Sequence, residues 1–402
     1  MGANLIPCPR LSGRTCSRVV VVVAVLGATL AHLLVARGVD AFSPHDELLY
    51  LDQATELAHD GPGALRSQVR AFLATPARWL YPPPTRWGHH LAAGAAVAVW
   101  GDDFRSLARL STLASVAAVV LAALLARRLG GNVAAGAAAA LLGSSPLWLH
   151  LGRRALADAP HSALGLAAVW AFLEAARPGA RWRSQALAAV LLTATVATKE
   201  TGLVLLPLLG AVHLARAEGR GHLRPLALLV AGGLLAWLGF SLLAGSGWAY
   251  ARVLEAVRAG TAHNAYVILH QQVPLHRPFL DLTLLAPTVM LAAPAALASG
   301  LRAHAPLRRQ VTALAALVLP ALVLVGVVSG VGQNARFLLL GDALLRIAVA
   351  VWLARLATTP RRLGVVVALV GATVLLEGWL FWRVFVEGRV YDPVSSALWG
   401  AF

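Results

Sequence analysis

The chain has 402 residues, of which 58% are hydrophobic and only 13% are charged, and its mean hydropathy is +0.71. Soluble domains carry about 25% charged residues, so this composition excludes an ordinary soluble protein and indicates an integral membrane protein. The net charge of +16 does not indicate nucleic-acid binding. The basic residues lie in short clusters between apolar runs, which is typical of cytoplasmic loops in membrane proteins. Lys199 is the only lysine; the other basic residues are arginines.

The first apolar run, residues 19–36, follows a basic tail and is predicted to be a retained membrane span. It is about 18 residues long, which is long for the hydrophobic region of a signal peptide, and no A-x-A-like cleavage site follows it. The tail, residues 1–18, is expected in the cytoplasm. Its cysteines, Cys8 and Cys16, are therefore not expected to form a structural disulfide.

Two rules predict the arrangement of the membrane spans. A span needs roughly 17–25 apolar residues, and lysine and arginine accumulate on the cytoplasmic side of the membrane. Together they predict an all-α integral membrane protein with about eleven transmembrane helices. The predicted spans are residues 19–36, 106–126, 133–150, 161–176, 185–198, 201–215, 225–244, 281–300, 311–331, 337–356 and 363–385. Every predicted inner loop then carries an arginine cluster.

Two long loops are predicted on the outer side of the membrane, at residues 37–105 and 245–280. Residues 91–100 in the first loop are apolar, but about ten residues are too few for a span. Counting them as a span would also place Arg127 and Arg128 outside, against the charge rule. We therefore predict interfacial helices in this loop, one of them at residues 91–100.

The sequence divides into three parts. A cytoplasmic basic tail, residues 1–18, precedes a transmembrane region, residues 19–385, and a short outer tail follows at residues 386–402. No soluble C-terminal domain is expected. This organisation predicts a multi-pass protein of the inner or plasma membrane, with its N-terminus in the cytoplasm.

Ionisable residues collect in the loops that are predicted to lie outside. They are Asp46, Glu47, Asp52, Asp158, Lys199, Glu200 and Arg336. An ionisable group inside the bilayer costs at least ~2.5–3.5 kcal/mol on insertion scales, so charged residues near helix ends indicate a functional site. A carboxylate accepts the proton of an attacking hydroxyl, and lysine or arginine stabilises charge on a departing phosphate. The combination indicates a group-transfer reaction at the outer face.

Short motifs follow one another in a fixed order along the chain. The first is Asp46-Glu47-x-x-Tyr50-x-x-x-Ala54, directly after the first predicted span. The others are Tyr81-Pro82-Pro83 with the later Trp100-Gly101, Arg105-Ser106-Leu107-Ala108-Arg109-Leu110, Ser145-Pro146 through to Asp158-Ala159-Pro160, Ala197-Thr198-Lys199-Glu200-Thr201-Gly202, and Arg336-Phe337. In this order they resemble the GT-C membrane glycosyltransferases, in the branch of the aminoarabinose lipid A transferases and protein O-mannosyltransferases. The resemblance covers roughly residues 19–350.

The resemblance implies transfer of a sugar from a polyprenyl-phosphate donor to a hydroxyl of a lipid, glycan or protein acceptor. The hydroxyl would attack opposite the phosphate, with inversion, through a transition state of oxocarbenium character. Asp46 would activate the acceptor hydroxyl, with Glu47 and Asp158 as the further catalytic carboxylates; Asp158 would hold the acceptor or a metal. The residues implied to hold the donor and its phosphate are Lys199, Arg336, Arg153, Arg154, Arg86 and Tyr81.

A required metal is not expected. Some relatives have a basic residue at the position of Tyr81, and a metal-binding relative has an acidic residue at the position of Leu80. His89, His90 and the histidines of residues 263–276 match no standard zinc spacing. The prediction is therefore that no cofactor is required, with a divalent metal as the open alternative.

Each proposed role has a structural alternative. Asp46 and Asp158 are also residues that begin helices, Glu47 is able to pair with a nearby arginine, and Lys199 is able to snorkel from a helix end. For the whole chain, one alternative is a multi-pass transporter or lipid flippase, because transporters place ionisable residues near the bilayer midplane. Arg346, in the middle of a predicted span, fits that alternative best. A non-catalytic assembly subunit is the third.

Overall fold

The structure, a computed structural model, describes residues 13–38, 46–74, 82–215, 223–329 and 334–402. Within these ranges the chain is helical and contains no strand, so the predicted all-α class is confirmed. Tyr81, a predicted donor-binding residue, lies outside the described residues.

The helices follow one another along the whole described chain. They are α1 (Gly13–Arg37), α2 (Asp46–Asp60), α3 (Ala64–Ala74), α4 (Trp87–Trp100), α5 (Phe104–Gly143), α6 (Pro146–Leu151), α7 (Asp158–Ala175), α8 (Trp182–Thr198), α9 (Gly202–Leu214), α10 (Leu223–Ala244), α11 (Ala249–Ala262), α12 (Arg277–Leu285), α13 (Pro287–Leu301), α14 (Pro306–Ser329), α15 (Leu339–Leu356), α16 (Pro360–Phe381) and α17 (Ser395–Gly400). Short 3₁₀ turns lie at Gly61–Gly63, Pro84–Arg86 and Ala335–Leu338, and π-helical turns lie at Val267–Gln271 and Trp382–Glu387.

Several helices have the length and composition of membrane spans. In the described part of the chain six helices qualify, namely α1, α5, α10, α14, α15 and α16, or seven if α12 and α13 form one bent span. The outward faces of α1, α10 and α16 carry exposed valine and leucine side chains, as expected for helices in contact with lipid. The chain is therefore a multi-pass membrane protein. The total of eleven spans stays a prediction.

Helix α5 contains the predicted span 106–126 and most of the predicted span 133–150. It has 40 residues, so a straight helix would be about 60 Å long, twice the hydrocarbon thickness of a bilayer. Gly131 interrupts it with φ +78° and ψ −166°, a backbone conformation that favours glycine. The break falls between the predicted spans 106–126 and 133–150, as the charge rule requires.

The predicted span at residues 281–300 is not a straight helix. Helix α12 ends at Leu285 and α13 begins at Pro287, and the two are bent by 113°. Proline cannot donate the backbone hydrogen bond that would continue the first helix, which explains the break. The sequence prediction missed this division because it counted apolar residues across the proline.

Helix α15 lies at the centre of the bundle and carries Arg346, which is fully buried. The guanidinium donates to both carboxylate oxygens of Asp342 at 2.9 Å and to Glu377 Oε2 at 2.7 Å. It also donates to the Leu141 carbonyl at 2.6 Å. Polar groups inside a membrane bundle pair with one another in this way, so packing accounts for the arginine that favoured the transporter alternative.

The predicted outer loop 37–105 contains three helices, α2, α3 and α4, in its described part. Helix α4 has 14 residues, which gives a length of about 21 Å, too short to cross the hydrocarbon core. The interfacial position predicted for residues 91–100 stays a prediction. Helix α2 packs against α4 and begins with the two acidic residues of the first motif.

Candidate active site

Four ion pairs join charged residues from distant parts of the sequence. They are Asp46 with Arg336 at 2.8 Å, Glu47 with Arg154, Asp158 with Lys199, and Glu200 with Arg86 at 2.9 Å. All eight residues lie at or just beyond helix ends. The structure therefore brings together seven of the predicted site residues and adds Glu200 to them.

Asp46 and Glu47 begin α2, where negative charge is favourable because of the helix dipole. Their side chains have different surroundings. Glu47 is only 1% exposed and accepts hydrogen bonds from Arg154 and from the backbone N–H of Ala155 at 2.7 Å. Asp46 is 19% exposed and lines a cavity. Of the two carboxylates, Asp46 is the one with access for a substrate, whereas Glu47 connects α2 to the segment before α7.

Asp158, the first residue of α7, pairs with Lys199 in the turn between α8 and α9. The ammonium also lies 4.5 Å from the ring centre of Phe337. Burial raises the pKa of Asp158, but Lys199, Arg336 and Arg86 lower it more strongly, to about 2. Burial lowers the pKa of Lys199 to about 8, although Asp158 opposes the change. Both groups are therefore charged at neutral pH.

Arg86 follows the paired prolines and reaches across to Glu200, donating from Nε at 2.9 and 3.1 Å. Its Nη1 also donates to the hydroxyl of the buried Tyr50 at 2.6 Å. Helix α4 approaches α8 closely at Gly88, where an added Cβ would lie 2.9 Å from the Ala197 side chain. This close approach, which only glycine permits without a shift, keeps Arg86 within reach of Glu200.

The two neighbouring arginines before α7 have different contacts. Arg154 pairs with Glu47 and lies 4.6 Å from the ring centre of Tyr391. Arg153 donates to the backbone carbonyl of Phe385 at 2.9 Å and lies 5.1 Å from the ring of Phe381. Burial, and then the charge of Arg154, lower the pKa of Arg153 to about 10. These contacts join Arg153 to the end of α16, and its donor-binding role stays a prediction.

A cavity of about 1040 Å³ opens beside Asp46 and Arg336; we call it the polar cavity. Its other walls are the segment between α11 and α12, at residues 264–271, and the segment at residues 388–401. The first segment was predicted to lie in the outer loop 245–280 and the second in the outer tail, and neither was assigned a role in the site. The polar cavity is therefore the open space that Asp46 faces.

A second cavity of about 910 Å³ lies between α4, α5, α7 and α8; we call it the apolar groove. Most of the residues in its wall are alanine, leucine and valine. His89, Pro160 and Thr198 form part of its wall, and these residues lie close in sequence to Arg86, Asp158 and Lys199. The groove therefore adjoins the part of the site that carries the cations.

Asp392, which was not among the predicted site residues, links three segments of the site. Its carboxylate accepts hydrogen bonds from the Tyr266 hydroxyl and from Asn334 Nδ2, and Asn334 Oδ1 accepts the backbone N–H of Arg336 at 3.0 Å. The signal that identified Asp46 was present at Asp392 too, since it is an acidic residue outside the spans of an acid-poor chain. The predicted outer tail is thus a wall of the site.

The fold is found in solved structures. The structure of ArnT from Cupriavidus metallidurans bound to undecaprenyl phosphate is similar, with a TM-score of 0.64 and 16% sequence identity over 92% of this chain. This chain has the GT-C fold. It spans 65% of the ArnT chain, less than two thirds of that protein.

Other comparisons agree with the GT-C fold. The archaeal oligosaccharyltransferase AglB from Archaeoglobus fulgidus, solved with an inhibitory peptide and a dolichol-phosphate, has a TM-score of 0.58 and 13% identity. The match covers 94% of this chain and 59% of AglB. The family model described as dolichyl-phosphate-mannose-protein mannosyltransferase matches residues 83–244, which is under half of the chain. The search of curated protein sequences found no match to this chain.

The AglB protein has also been solved in complex with Zn and sulfate, at a TM-score of 0.58 and 15% identity. In the described residues of this chain, no group of three or more His, Cys, Asp or Glu side chains is placed to hold a metal. Asp46 and Asp158 each contact a cationic side chain instead. The question of a divalent metal therefore stays with the sequence prediction, and no step of the proposed reaction is assigned to a metal.

Proposed function

We propose that this GT-C chain transfers a sugar from a polyprenyl-phosphate donor to an acceptor hydroxyl at the outer face of the membrane. The observation that carries the proposal is the position of Asp46. Its carboxylate borders an open cavity and contacts Arg336, whose charge also reaches the buried pair of Asp158 and Lys199. A base, a cavity and several cations are what sugar transfer from a phosphate requires.

The donor's isoprenoid tail is assigned to the apolar groove and its phosphate to the neighbouring cations. The groove has apolar walls on four helices, and burying an isoprenoid chain there is favourable because apolar area leaves water. Lys199, Arg86 and Arg336 are the cations for the phosphate, since such groups stabilise charge on a departing oxygen. The lipid phosphates bound in the ArnT and AglB structures support this choice of donor.

The geometry at Asp46 supports its action as a general base. Arg336 Nη1 donates to Oδ2, which leaves Oδ1 to accept the proton of the acceptor hydroxyl. The hydroxyl oxygen forms a bond to the anomeric carbon while the bond from that carbon to the phosphate oxygen breaks, and the electron pair leaves with the phosphate. Attack opposite the leaving group inverts the configuration. The ordered ion pairs place these groups before the donor binds, which is electrostatic preorganisation.

The test of this proposal is Asp46→Asn, which keeps the shape of the side chain and removes its basicity. The enzyme is placed in membranes supplied with polyprenyl-phosphate sugars, and transfer of labelled sugar is measured. Loss of a general base lowers rates by about 10²–10⁴-fold, so transfer should fall by at least ~100-fold. The variant should insert into the membrane and remain folded, because Asp46 is partly exposed and the asparagine oxygen still accepts the hydrogen bond from Arg336.

The matched control is Asp52→Asn, the same change at an exposed position on the same helix. It should transfer sugar at the wild-type rate. Full activity of the Asp46 variant, or equal loss in both variants, would rule out Asp46 as the base. Mass spectrometry of lipids from a strain lacking the protein identifies the donor, because an unused sugar-phosphate lipid should accumulate there.

A further inference from the structure

The polar cavity combines aromatic rings with groups that donate and accept hydrogen bonds. Tyr266, Tyr391 and Phe337 contribute rings to its wall. Asn264 and Gln271 contribute amides, which both donate and accept. Pockets of this kind hold small polar ligands, because a few placed polar groups fix the orientation and the rings supply contact area.

A continuous series of hydrogen bonds connects the far wall of this cavity to Asp46. Tyr266 donates to Asp392, and Asn334 donates to the same carboxylate. Asn334 accepts the backbone N–H of Arg336 at 3.0 Å, and the guanidinium of Arg336 donates to Asp46 at 2.8 Å. A ligand that contacts Tyr266 and Asp392 is therefore held by the same structure that positions the proposed base.

The charges around the polar cavity balance. Asp46 and Asp392 contribute two negative charges, and Arg336 and Arg389 contribute two positive charges. An anionic ligand would meet both carboxylates, and a cationic ligand would meet both guanidinium groups. A neutral polyol avoids this repulsion, because its hydroxyls donate to carboxylates and accept from guanidinium groups.

The backbone at Arg389 is a second sign of a ligand site. Its φ is +51°, the only positive value at a residue other than glycine in the described part of the chain. Residues held in the left-handed region cluster at active sites and ligand clamps, where the surrounding structure maintains them. Arg389 lies in the wall of the polar cavity, close in sequence to Asp392.

The geometry points to the polar cavity as the acceptor site and to a neutral carbohydrate as the acceptor, an inference that rests on the proposed function. One sugar hydroxyl lies against Asp46 Oδ1 and attacks the anomeric carbon of the donor. Its proton passes to Asp46, and the phosphate leaves with the bonding electron pair. Tyr266 and Asp392 orient the acceptor ring, so the segment at residues 388–401 selects the acceptor.

The experiment measures binding separately from transfer. The protein is placed in phospholipid nanodiscs free of glycoside detergents, and hydrogen–deuterium exchange is followed by mass spectrometry. The probes are a panel of methyl glycosides and neutral disaccharides, with a threonine-containing peptide for comparison. At least one glycoside should slow exchange at residues 264–271 and 388–401, and the peptide should not. Protection by the peptide alone, or by no probe, would overturn the proposal.

Two variants test the residues assigned to the acceptor. Tyr266→Phe and Asp392→Asn should weaken the protection by glycosides, and each should raise the KM for the transferring glycoside about tenfold, the loss of one hydrogen bond. The KM for the polyprenyl-phosphate donor should not change, which separates an acceptor role from a general structural one. Tyr250→Phe is the matched control, because it removes a buried tyrosine hydroxyl outside the cavity. Unchanged glycoside protection in both cavity variants would refute the assignment.

The two proposals fail in different ways. Glycoside protection without any sugar transfer by the wild-type protein would refute the glycosyltransferase and keep the carbohydrate site. Sugar transfer without glycoside protection, with a peptide or lipid as the labelled product, would refute the carbohydrate acceptor and keep the glycosyltransferase. Asp46→Asn should keep the protection while losing transfer, since the carboxamide retains the shape of the acceptor site.

Discussion

At the scale of single residues, the site is organised by pairing. An unpaired charge in an apolar environment is costly, and removing one partner of a buried pair leaves the other uncompensated. Asp158 and Lys199 are both buried, so each requires the other until a substrate replaces one contact. A donor phosphate arriving at Lys199 would compete with Asp158 for the ammonium. The effect of a substitution here is therefore an effect on a pair.

Lys199 should make donor binding dependent on pH. Burial, with Arg86 and Arg336 nearby, lowers its pKa to about 8, and Asp158 only partly offsets this change. Lysine loses its charge as the pH rises through its pKa, so kcat/KM for the donor should be highest below pH 8 and fall above it. Asp158 stays ionised over this range, because its pKa is about 2. The measurement is the pH profile of kcat/KM from pH 6 to about 9.5.

The comparison variant for this profile is Lys199→Arg. The guanidinium remains charged throughout the range, so the fall above pH 8 should disappear even if the larger side chain lowers the rate. In the wild type, the corresponding fall in kcat should lie at higher pH, because a bound phosphate favours the charged ammonium. A flat wild-type profile, or the same fall in Lys199→Arg, would show that Lys199 does not bind the phosphate.

The sequence could identify these residues but not their partners. Asp46 and Lys199 are recognisable because charged residues are rare in this chain and cluster near helix ends. The pairing of Asp46 with Arg336 joins positions 290 residues apart, and local pattern carries no information about such a contact. Glu47 shows the same limit. In the sequence nothing distinguishes it from the adjacent Asp46, although the Glu47 carboxylate is buried and the Asp46 carboxylate borders a cavity.

At the scale of elements, hydropathy located the helices well and their interruptions less well. The basic residues Arg127 and Arg128 separated the predicted spans 106–126 and 133–150, and Gly131 breaks α5 between them. The division of α12 from α13 at Pro287 was missed, although proline predicts such a break. The segment at residues 388–401 was also missed as a wall of the site, because its role arises from tertiary contacts with Tyr266 and Asn334.

The contact between α15 and α16 should depend strongly on Arg346. Replacing it in Arg346→Met leaves Asp342 and Glu377 buried without their cation. Breaking a buried pair in this way costs about 3–5 kcal/mol, so the unfolding temperature in detergent should fall markedly. The triple variant that adds Asp342→Asn and Glu377→Gln should recover much of the loss, because it removes the uncompensated charges.

A matched control exists on the exposed side of the same region. Arg383 and Glu387 form a pair with both side chains nearly half exposed, and such pairs contribute about 0–1 kcal/mol. Arg383→Met should therefore unfold close to the wild-type temperature. Equal unfolding temperatures for the Arg346 and Arg383 variants would contradict a structural role for Arg346. Arg346 would then again favour the transporter alternative.

At the scale of the whole molecule, the ion pairs of the site lie at or just beyond helix ends. Asp46 begins α2, Asp158 begins α7, Lys199 directly follows α8 and Arg336 precedes α15. The predicted topology places all these ends on the outer face, whereas the arginine-rich loops lie on the other. We propose that the site and the arginine-rich loops lie on opposite faces of the membrane. This topology requires that each segment joining an outer loop to an arginine-rich loop crosses the membrane.

Single cysteines in a chain lacking its two native cysteines test that topology in whole cells with a membrane-impermeant maleimide. Cysteine at Gly63 or Gly247 should label in intact cells, and cysteine at Pro178 or His304 only after permeabilisation. All four positions are exposed, so burial does not explain a missing label. Labelling of position 178 from outside would contradict the predicted orientation of the four preceding spans, and of the site with them. Outside labelling at 304 together with 247 would show that the bent pair of α12 and α13 re-enters the membrane without crossing it, since a crossing segment places its ends on opposite sides.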